Sequence, residues 1–435
     1  MMRTESAATS TTNYFEATEH FAQRLDDRDP LATYREKFLC PRGPDGERVV
    51  YFAGNSLGLQ PEKARQYIGQ EVEDWKTLAV RAHLDGRTPW FSYHEIFSES
   101  GSRLVGAKPG AGEVVFMNSL TVNIHLMLVT FYQPTQTRYK IMMERPAFPS
   151  DLYAVTTHMR TRRIDPKDGL LQLAPREGEH TLRIEDIEAA LDEQGDEIAM
   201  VMFGCPNFYT GQVFDIERIT ATAKSKGCAV GFDLAHGTGN IAPQLHDWDV
   251  DFAMWCSYKY LNGGPGAVGG CFVHERHGNN LDLPRYAGWW GDDPQDRFQM
   301  HLQRPFVAQS GADGWQLSNP PILAMAALRA SLEMFDEVGI DKLREKSMKL
   351  TGYLRYLIER AGADGYEIIT PADPDSQGCQ LSILVHDKPQ ERFQALLDAG
   401  VVCDFREPNV IRVAPTPFYN TFHEAWRFAQ VLTTC

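Results

Sequence analysis

Between residues 198 and 256 the chain alternates short apolar runs with an amphipathic helical pattern, and this rhythm restricts the fold more than anything else in the sequence. Residues 198–203, 228–232 and 251–256 each read as a buried strand, and residues 215–226 read as a helix that stops at Gly227. Strand, helix and strand at this spacing predict βαβ units and a mainly parallel sheet, hence an α/β fold. The pattern spans a large domain over residues 51–320. A different texture follows: a helical tract over 321–361 punctuated by Gly339 and Gly352, a strand (381–385), a helix (391–399) and short strands around Asp404 and Ile411. Residues 321–435 are therefore expected to form a smaller α+β domain. Residues 1–50, helical over 16–25, form an N-terminal segment expected to pack with it.

A chain of 435 residues with 43% hydrophobic and 23% charged residues suits an ordinary globular protein with more than one core. The net charge of -15, with no block of Lys and Arg, excludes the basic surface that a nucleic-acid partner needs. None of the eight cysteines forms a CxxC pair, and Cys228, Cys256 and Cys271 sit in apolar runs, as expected of reduced thiols. The first residues have no apolar core, and the longest apolar stretch, 122–132, is too short and too polar for a bilayer. A cytoplasmic enzyme without membrane contact is the expectation.

Two runs carry chemistry. GCAVGFDLAHGTGN (227–240) places Asp233 where a strand gives way to a glycine-rich turn, and VDFAMWCSYKYLNGGPG (250–266) leads into Lys259 and a second glycine-rich loop. Ligands of open α/β sheets bind beyond the carboxyl ends of the strands, so an acid and an amine 26 residues apart are aimed at one rim. An Asp at a strand end is, alone, more often a turn residue. A Lys in an apolar run is rarer, because a buried ammonium needs a partner or a covalent fate. Together they fit pyridoxal phosphate, which takes a Lys for its aldehyde and a carboxylate beside its pyridine nitrogen. A competing reading makes Asp233, His236 and His246 ligands of a hydrolytic metal ion, on the weak strength of a D-x-x-H spacing; under the cofactor reading no metal is expected.

Further runs add to this: YFAGNSLGLQP (51–61), MNSLTVNIHLML (117–128), AFPSD (147–151), FDLAHG (232–237), CSYKYLNGGPG (256–266), GWWG (288–291) and SNPPIL (318–323). In this order they resemble kynureninases, from Tyr51 to RVAPTPFYN (412–420), essentially the whole folded chain. The resemblance implies the pyridoxal-phosphate-dependent transferase-like (fold type I) architecture and a homodimer with active sites across the subunit interface. It assigns Lys259 to the cofactor aldehyde and Asp233 to the pyridine nitrogen, with His236 helping to hold that carboxylate or the ring. Leu120 and Thr121 match the phosphate loop. Phe148 would lie against the ring face, with Pro149, Ser150 and Asp151 of the same run touching the cofactor. Tyr258 would contact the phosphate and move protons, although on a strand it would point away from Lys259. Trp289 and Asn319 would come from the neighbouring subunit, and Arg412 would clamp the substrate carboxylate. His83, Ser318 and Asn319 would lie near the substrate's aniline ring.

One position departs from the pattern. Gly204, in MFGCPNFYTGQ, stands where relatives often carry Ser or Thr, and Asn207 is the candidate to supply the missing polar contact. The implied reaction is hydrolytic Cβ–Cγ cleavage of L-kynurenine or its 3-hydroxy derivative to an anthranilate and L-alanine, in tryptophan catabolism and NAD biosynthesis. Polar groups at His83, Ser318 and Asn319 would be left unpaired by plain kynurenine, which favours the 3-hydroxy substrate. A rival reading keeps fold and cofactor but makes the chain a cysteine desulfurase. That needs a mobile Cys in the smaller domain, whereas Cys379 and Cys403 fall in or beside expected strands.

Overall fold

The computed structural model describes residues 15–302, 305–360 and 365–434. Seven strands form the main sheet: β1 (Val114–Phe116), β2 (Lys140–Glu144), β3 (Leu170–Leu173), β4 (Ile198–Gly204), β5 (Ala229–Asp233), β6 (Phe252–Cys256) and β7 (Gly269–Val273). Their order is β1-β7-β6-β5-β4-β2-β3. The strands from β3 across to β6 run parallel, while β7 is antiparallel to both β6 and β1. Every residue of β1, β6 and β7 is buried, which is why these strands read as unbroken apolar runs rather than as alternation. Strand β5 starts and ends one residue later than expected, making Asp233 its last residue. The helix before it, Ile216–Ser225, is capped by the Asp215 carboxylate, which accepts from Arg218 N–H. The chain then turns at Gly227, whose φ of 79° lies in the left-handed region.

After the main sheet, helices Ile322–Val338 and Ile340–Arg360 are separated at Gly339, φ 82°. Gly352 stays inside the second helix and breaks nothing. A four-stranded antiparallel sheet follows: β8 (Tyr366–Ile368), β9 (Leu381–Val385), β10 (Asp404–Arg406) and β11 (Val410–Val413), in the order β8-β9-β11-β10. Helix Glu19–Asp27 packs on helix Phe422–Thr434, and the Asp26 carboxylate accepts from the N–H groups of Phe422 (2.7 Å) and His423 (3.0 Å) at that helix's start. Among the described residues no helix is long and apolar enough to cross a membrane.

Asp251, directly before β6, ties together the elements that carry Asp233 and Lys259. Its carboxylate accepts from Val230 N–H in β5 at 2.8 Å and from Lys224 Nζ at 3.3 Å, and lies 2.8 Å from His277 Nε2. Arg276 completes the set. Burial pushes this carboxyl up, but the hydrogen bonds from His277 and Arg276, the Lys224 charge and Val230 N–H outweigh it and hold the group well below the usual carboxylate range. A group with a depressed folded pKa contributes stability that is present above its unfolded value and lost as pH falls through the folded one. Asp251→Asn is therefore expected to cost about 3–5 kcal/mol at neutral pH. It should also flatten the acid limb of stability against pH in urea unfolding; an unchanged acid limb would count against this role.

Candidate active site

The carboxyl ends of β2, β4, β5 and β6 form one rim. Strand β6 stops at Cys256, so the strand alternation that would have turned Tyr258 away from Lys259 no longer applies, and both side chains line the same cavity. The Lys259 backbone is approached closely: a Cβ on Gly58 would come 2.3 Å from Lys259 O, and Gly58 N–H donates to Tyr258 O at 2.8 Å. The run 51–61 is thus a strap across the back of the lysine loop, which explains its glycine. Lys259 is buried, with Nζ 5.8 Å from the centroid of the Phe148 ring.

Two helices begin at this rim. Leu120–Phe131 starts after Ser119, and Pro149–Thr161 starts after Phe148 with Pro149 at its first position, where proline loses no helical hydrogen bond. The hydroxyls of Thr121 and Ser150 are 3.0 Å apart, bridging the two helix starts. The two hydroxyls, with the first-turn N–H groups of the helix at Leu120, suit a phosphate.

Facing Lys259 are acids. Asp233 accepts from Ala235 N–H at 2.7 Å, and its carboxyl shares a hydrogen bond with that of Asp151. Burial, then the charge on Asp233, pushes Asp151 far up, so Asp151 is the protonated member and donates to Asp233. Burial raises Asp233 too, opposed by that hydrogen bond and by the Lys259 ammonium. Burial, followed by the Lys259 and Arg412 charges, drives His236 well below its ordinary value, so it is neutral. Burial raises the Tyr258 phenol, with Cys256 beside it, and keeps it protonated.

Leu120, Phe148, Asp151, Asp233, His236, Tyr258 and Lys259 thus line one cavity, and Glu144 and Gly204 join them. Glu144 was not anticipated. Asn207 does not substitute for a hydroxyl at Gly204: its amide donates to Pro146 O (2.9 Å), and its oxygen accepts from Tyr209 and Thr210 N–H (3.0 and 3.1 Å). Thr121, Pro149 and Ser150, at the two helix starts, and His83, Trp289, Ser318, Asn319 and Arg412 are not part of this chain's cavity lining. His83 Nδ1 lies 3.0 Å from Val80 O with its ring edge-on to Trp90, and Trp289 packs on Trp290. Ser318 donates to Asn319 at an exposed turn. Arg412, on β11, is buried; it bonds Asp404 through Nε (3.1 Å) and Nη2 (2.8 Å) and donates from Nη1 to Phe208 O (2.6 Å). Phe208 lines the cavity, so Arg412 stands just behind its wall.

The metal-ion reading does not survive the geometry. His246 lies 2.9 Å from Glu113 and stacks on His274, and these three are the residues brought close enough among the described ones to share an ion. Asp233 and His236 are elsewhere, in the cavity. Pyridoxal phosphate fits the cavity on its own terms. Buried Asp151 Oδ1 and His236 Nδ1 have no hydrogen-bond partner among the described residues, an amine and a carboxylate face each other, and two helix starts wait for an anion.

Residues 343–432 match the family described as Kynureninase C-terminal domain. The chain is 55% identical over 423 residues to a kynureninase of Myxococcus xanthus, covering 97% of this chain and 98% of that one. It is 51% identical over 416 residues to a kynureninase of Koribacter versatilis, covering 96% and 97%. Among solved structures, the apo cysteine desulfurase of Thermococcus onnurineus NA1 superposes with a TM-score of 0.69 at 16% identity, covering 89% of this chain and 94% of that one. That likeness concerns the fold, which is the pyridoxal-phosphate-dependent fold type I expected. The two cysteines weighed for a desulfurase, Cys379 and Cys403, are both buried, and burial pushes each thiol up to about 12, so neither offers an exposed thiolate. More than half of the residues are identical over nearly the full length of the first of these relatives, in agreement with the seven runs, and the chain belongs to the kynureninase family, pyridoxal-phosphate-dependent hydrolases that cleave kynurenine.

Proposed function

We propose that Lys259 holds the cofactor in this chain and that 3-hydroxy-L-kynurenine is its preferred substrate. The observation that carries the first part is the buried amine of Lys259 facing the hydrogen-bonded pair Asp151 and Asp233. Thr121 and Ser150 would take the phosphate, Phe148 would cover one face of the ring, and Asp233 would pair with the ring nitrogen. When bound, the cofactor supplies an electron sink next to the substrate's Cα. Lys259 Nζ is then free to take the Cα proton. Water adds to the side-chain ketone; its oxygen stays on that carbon, which leaves as the anthranilate carboxylate when Cβ–Cγ breaks. Cβ takes up a proton, and L-alanine is released. Tyr258, held protonated, is the proton donor for the later steps, acting with Lys259.

Arg412 would bind the substrate carboxylate. Asp404 and Phe208 O occupy three of its five N–H donors, which leaves two for a ligand. Ser56 Oγ donates to Asp404 at 2.6 Å and pins the pair to the strap. The exposed or half-buried positions of His83, Trp289, Ser318 and Asn319 support a homodimer in which these residues complete the neighbour's site, where Trp289 and Asn319 reach the cofactor and His83, Ser318 and Asn319 meet the aniline ring. The same reading takes residues 51–320 as the cofactor domain, 321–435 as the smaller domain and 1–50 as a segment packed on it, in a cytoplasmic enzyme of tryptophan catabolism and NAD biosynthesis.

Lys259→Ala is expected to abolish formation of 3-hydroxyanthranilate and alanine together with the visible band of the bound cofactor; turnover by that variant at a comparable rate would refute the assignment. For the substrate, kcat/KM should favour the 3-hydroxy form by roughly 10-fold or more, corresponding to about 1–3 kcal/mol for unpaired polar groups. Equal values, or a higher one for kynurenine, would rule out that preference. Arg412→Lys should raise KM by about 100-fold with cofactor affinity nearly unchanged, because a point charge cannot hold Asp404 and a carboxylate in two forks at once; a matched loss of cofactor would place Arg412 elsewhere.

A further inference from the structure

Glu144 lies in the cavity with no task in the reaction above. It is the last residue of β2 and is 2% exposed. One oxygen, Oε1, accepts from Gly204 N–H at 3.1 Å; the other, Oε2, is buried and has no partner among the described residues. A buried carboxyl oxygen without a partner is costly, and its place in the cavity wall makes the cavity's occupant the available partner. Gly204 is on the strand between, and the parallel register pairs it with Asp233. A Cβ at Gly204 would come 3.0 Å from Oε1, so the missing side chain leaves the space from Glu144 to Asp233 open.

Glu144, Asp151 and Asp233 thus line one cavity, with Lys259 the one amine among the lining residues. Neutral His236 and protonated Tyr258 face the same space, and the buried Cys205 thiol lies behind Glu144. Three carboxylates cannot all ionise there.

We propose that Glu144 is a positioning residue of the cofactor site, a neutral acid whose O–H is directed into the cavity and whose lack of charge leaves Asp233 as the anion that meets the cofactor ring. The inference rests on the reading that the cofactor occupies this cavity. Burial pushes Glu144 up to about 8; its own and the Gly204 backbone N–H oppose this, and the Asp233 charge adds to it. Glu144 therefore keeps its proton at neutral pH, and a second negative charge beside Asp233 forms only on the alkaline side.

Glu144→Gln keeps the shape, the acceptor for Gly204 and the neutrality, and removes the titration. The test uses wild-type and E144Q holoenzyme without substrate. Their infrared difference spectrum at about pH 6 should contain a protonated-carboxyl band, and that band should bleach in the wild type as pH rises past about 8. The absorbance titration of the bound cofactor should have a component near that pH which E144Q lacks. Cofactor affinity at neutral pH should stay within about threefold of wild type, whereas losing an anion from the site would lower it by tenfold or more. Superimposable titrations, a difference spectrum with carboxylate bands alone, or that tenfold loss would each overturn the proposal. If E144Q does not fold, Gly204→Ser sets a hydroxyl beside Oε1 with Glu144 intact; it should move the same component by about one pH unit, and no movement would overturn the proposal. These readouts need no substrate, so they stand apart from failure of kynurenine cleavage; a wild type that binds no cofactor would overturn both.

Discussion

An ammonium buried in protein is tolerable only beside compensating charge or with a covalent partner, and the cavity of this enzyme is arranged around that fact. Lys259 sits among three acids; burial raises all of them, and the hydrogen bond from Asp151 and the Lys259 charge favour Asp233 as the one that ionises. Asp151 keeps its proton and gives a hydrogen bond to Asp233, and His236 stays neutral because it is buried and, secondly, because positive charge lies nearby. One positive and one negative group therefore face each other across the space, a balance that suits a ring bound at its aldehyde on one side and at its nitrogen on the other.

That balance depends on the sheet being parallel where it matters. Strands β2, β4, β5 and β6 all end on one side, so Glu144, Gly204, Asp233 and the turn leading to Lys259 arrive at a single rim although they are distant in sequence. Asp251 locks β5 and β6 together from the opposite end, through Val230 N–H, Arg276 and His277. The strap that holds Gly58 against the Lys259 backbone also sends Ser56 to Asp404 and Asn55 to Gln380. Lys259 and the four-stranded sheet are thus braced by the same eleven-residue run (51–61), which serves as a packing element.

The strands of the main sheet could be read from the chain because both of their faces are buried, and a run such as FAMWC has nowhere else to go. Asp233 and Lys259 stood out because charge is conspicuous at the end of such a run. Glu144 did not, for the same physical reason in reverse: MMERP places it beside Arg145 and Pro146, where a charged exit to solvent is the ordinary reading, and its recorded partner, Gly204 N–H, comes from β4, 60 residues away in sequence. Asn207 is engaged locally: its oxygen caps the N–H groups of Tyr209 and Thr210, two and three residues on, a bond that the Asn before an aromatic turn and Gly211 could have announced. His246 looked like a ligand partner for Asp233 from spacing alone, but a βαβ fold decides adjacency by strand order, and it left His246 with Glu113 and His274. Gly339 and Gly352 looked alike in sequence; only the first adopts the left-handed φ that ends a helix, while the second is held in a helix whose other face is buried.

Arg412 connects the two sheets physically. It belongs to the four-stranded sheet, where Ser382 and Asp404 flank it in register. Its guanidinium reaches Phe208 O, in the loop after β4 of the main sheet. A free guanidinium in so buried a place would be costly, and the Asp404 fork removes that cost while fixing the plane of the group. Burial would lower its affinity for a proton, and Asp404 counters this, so the charge persists. Two N–H donors remain on a group that cannot rotate away, behind a wall formed by Phe208. A carboxylate entering from the cavity would therefore meet a donor pair already oriented, and little side-chain freedom is lost when it binds. If the substrate carboxylate binds there as proposed, that rigidity would also restrict how its Cα is presented to Lys259.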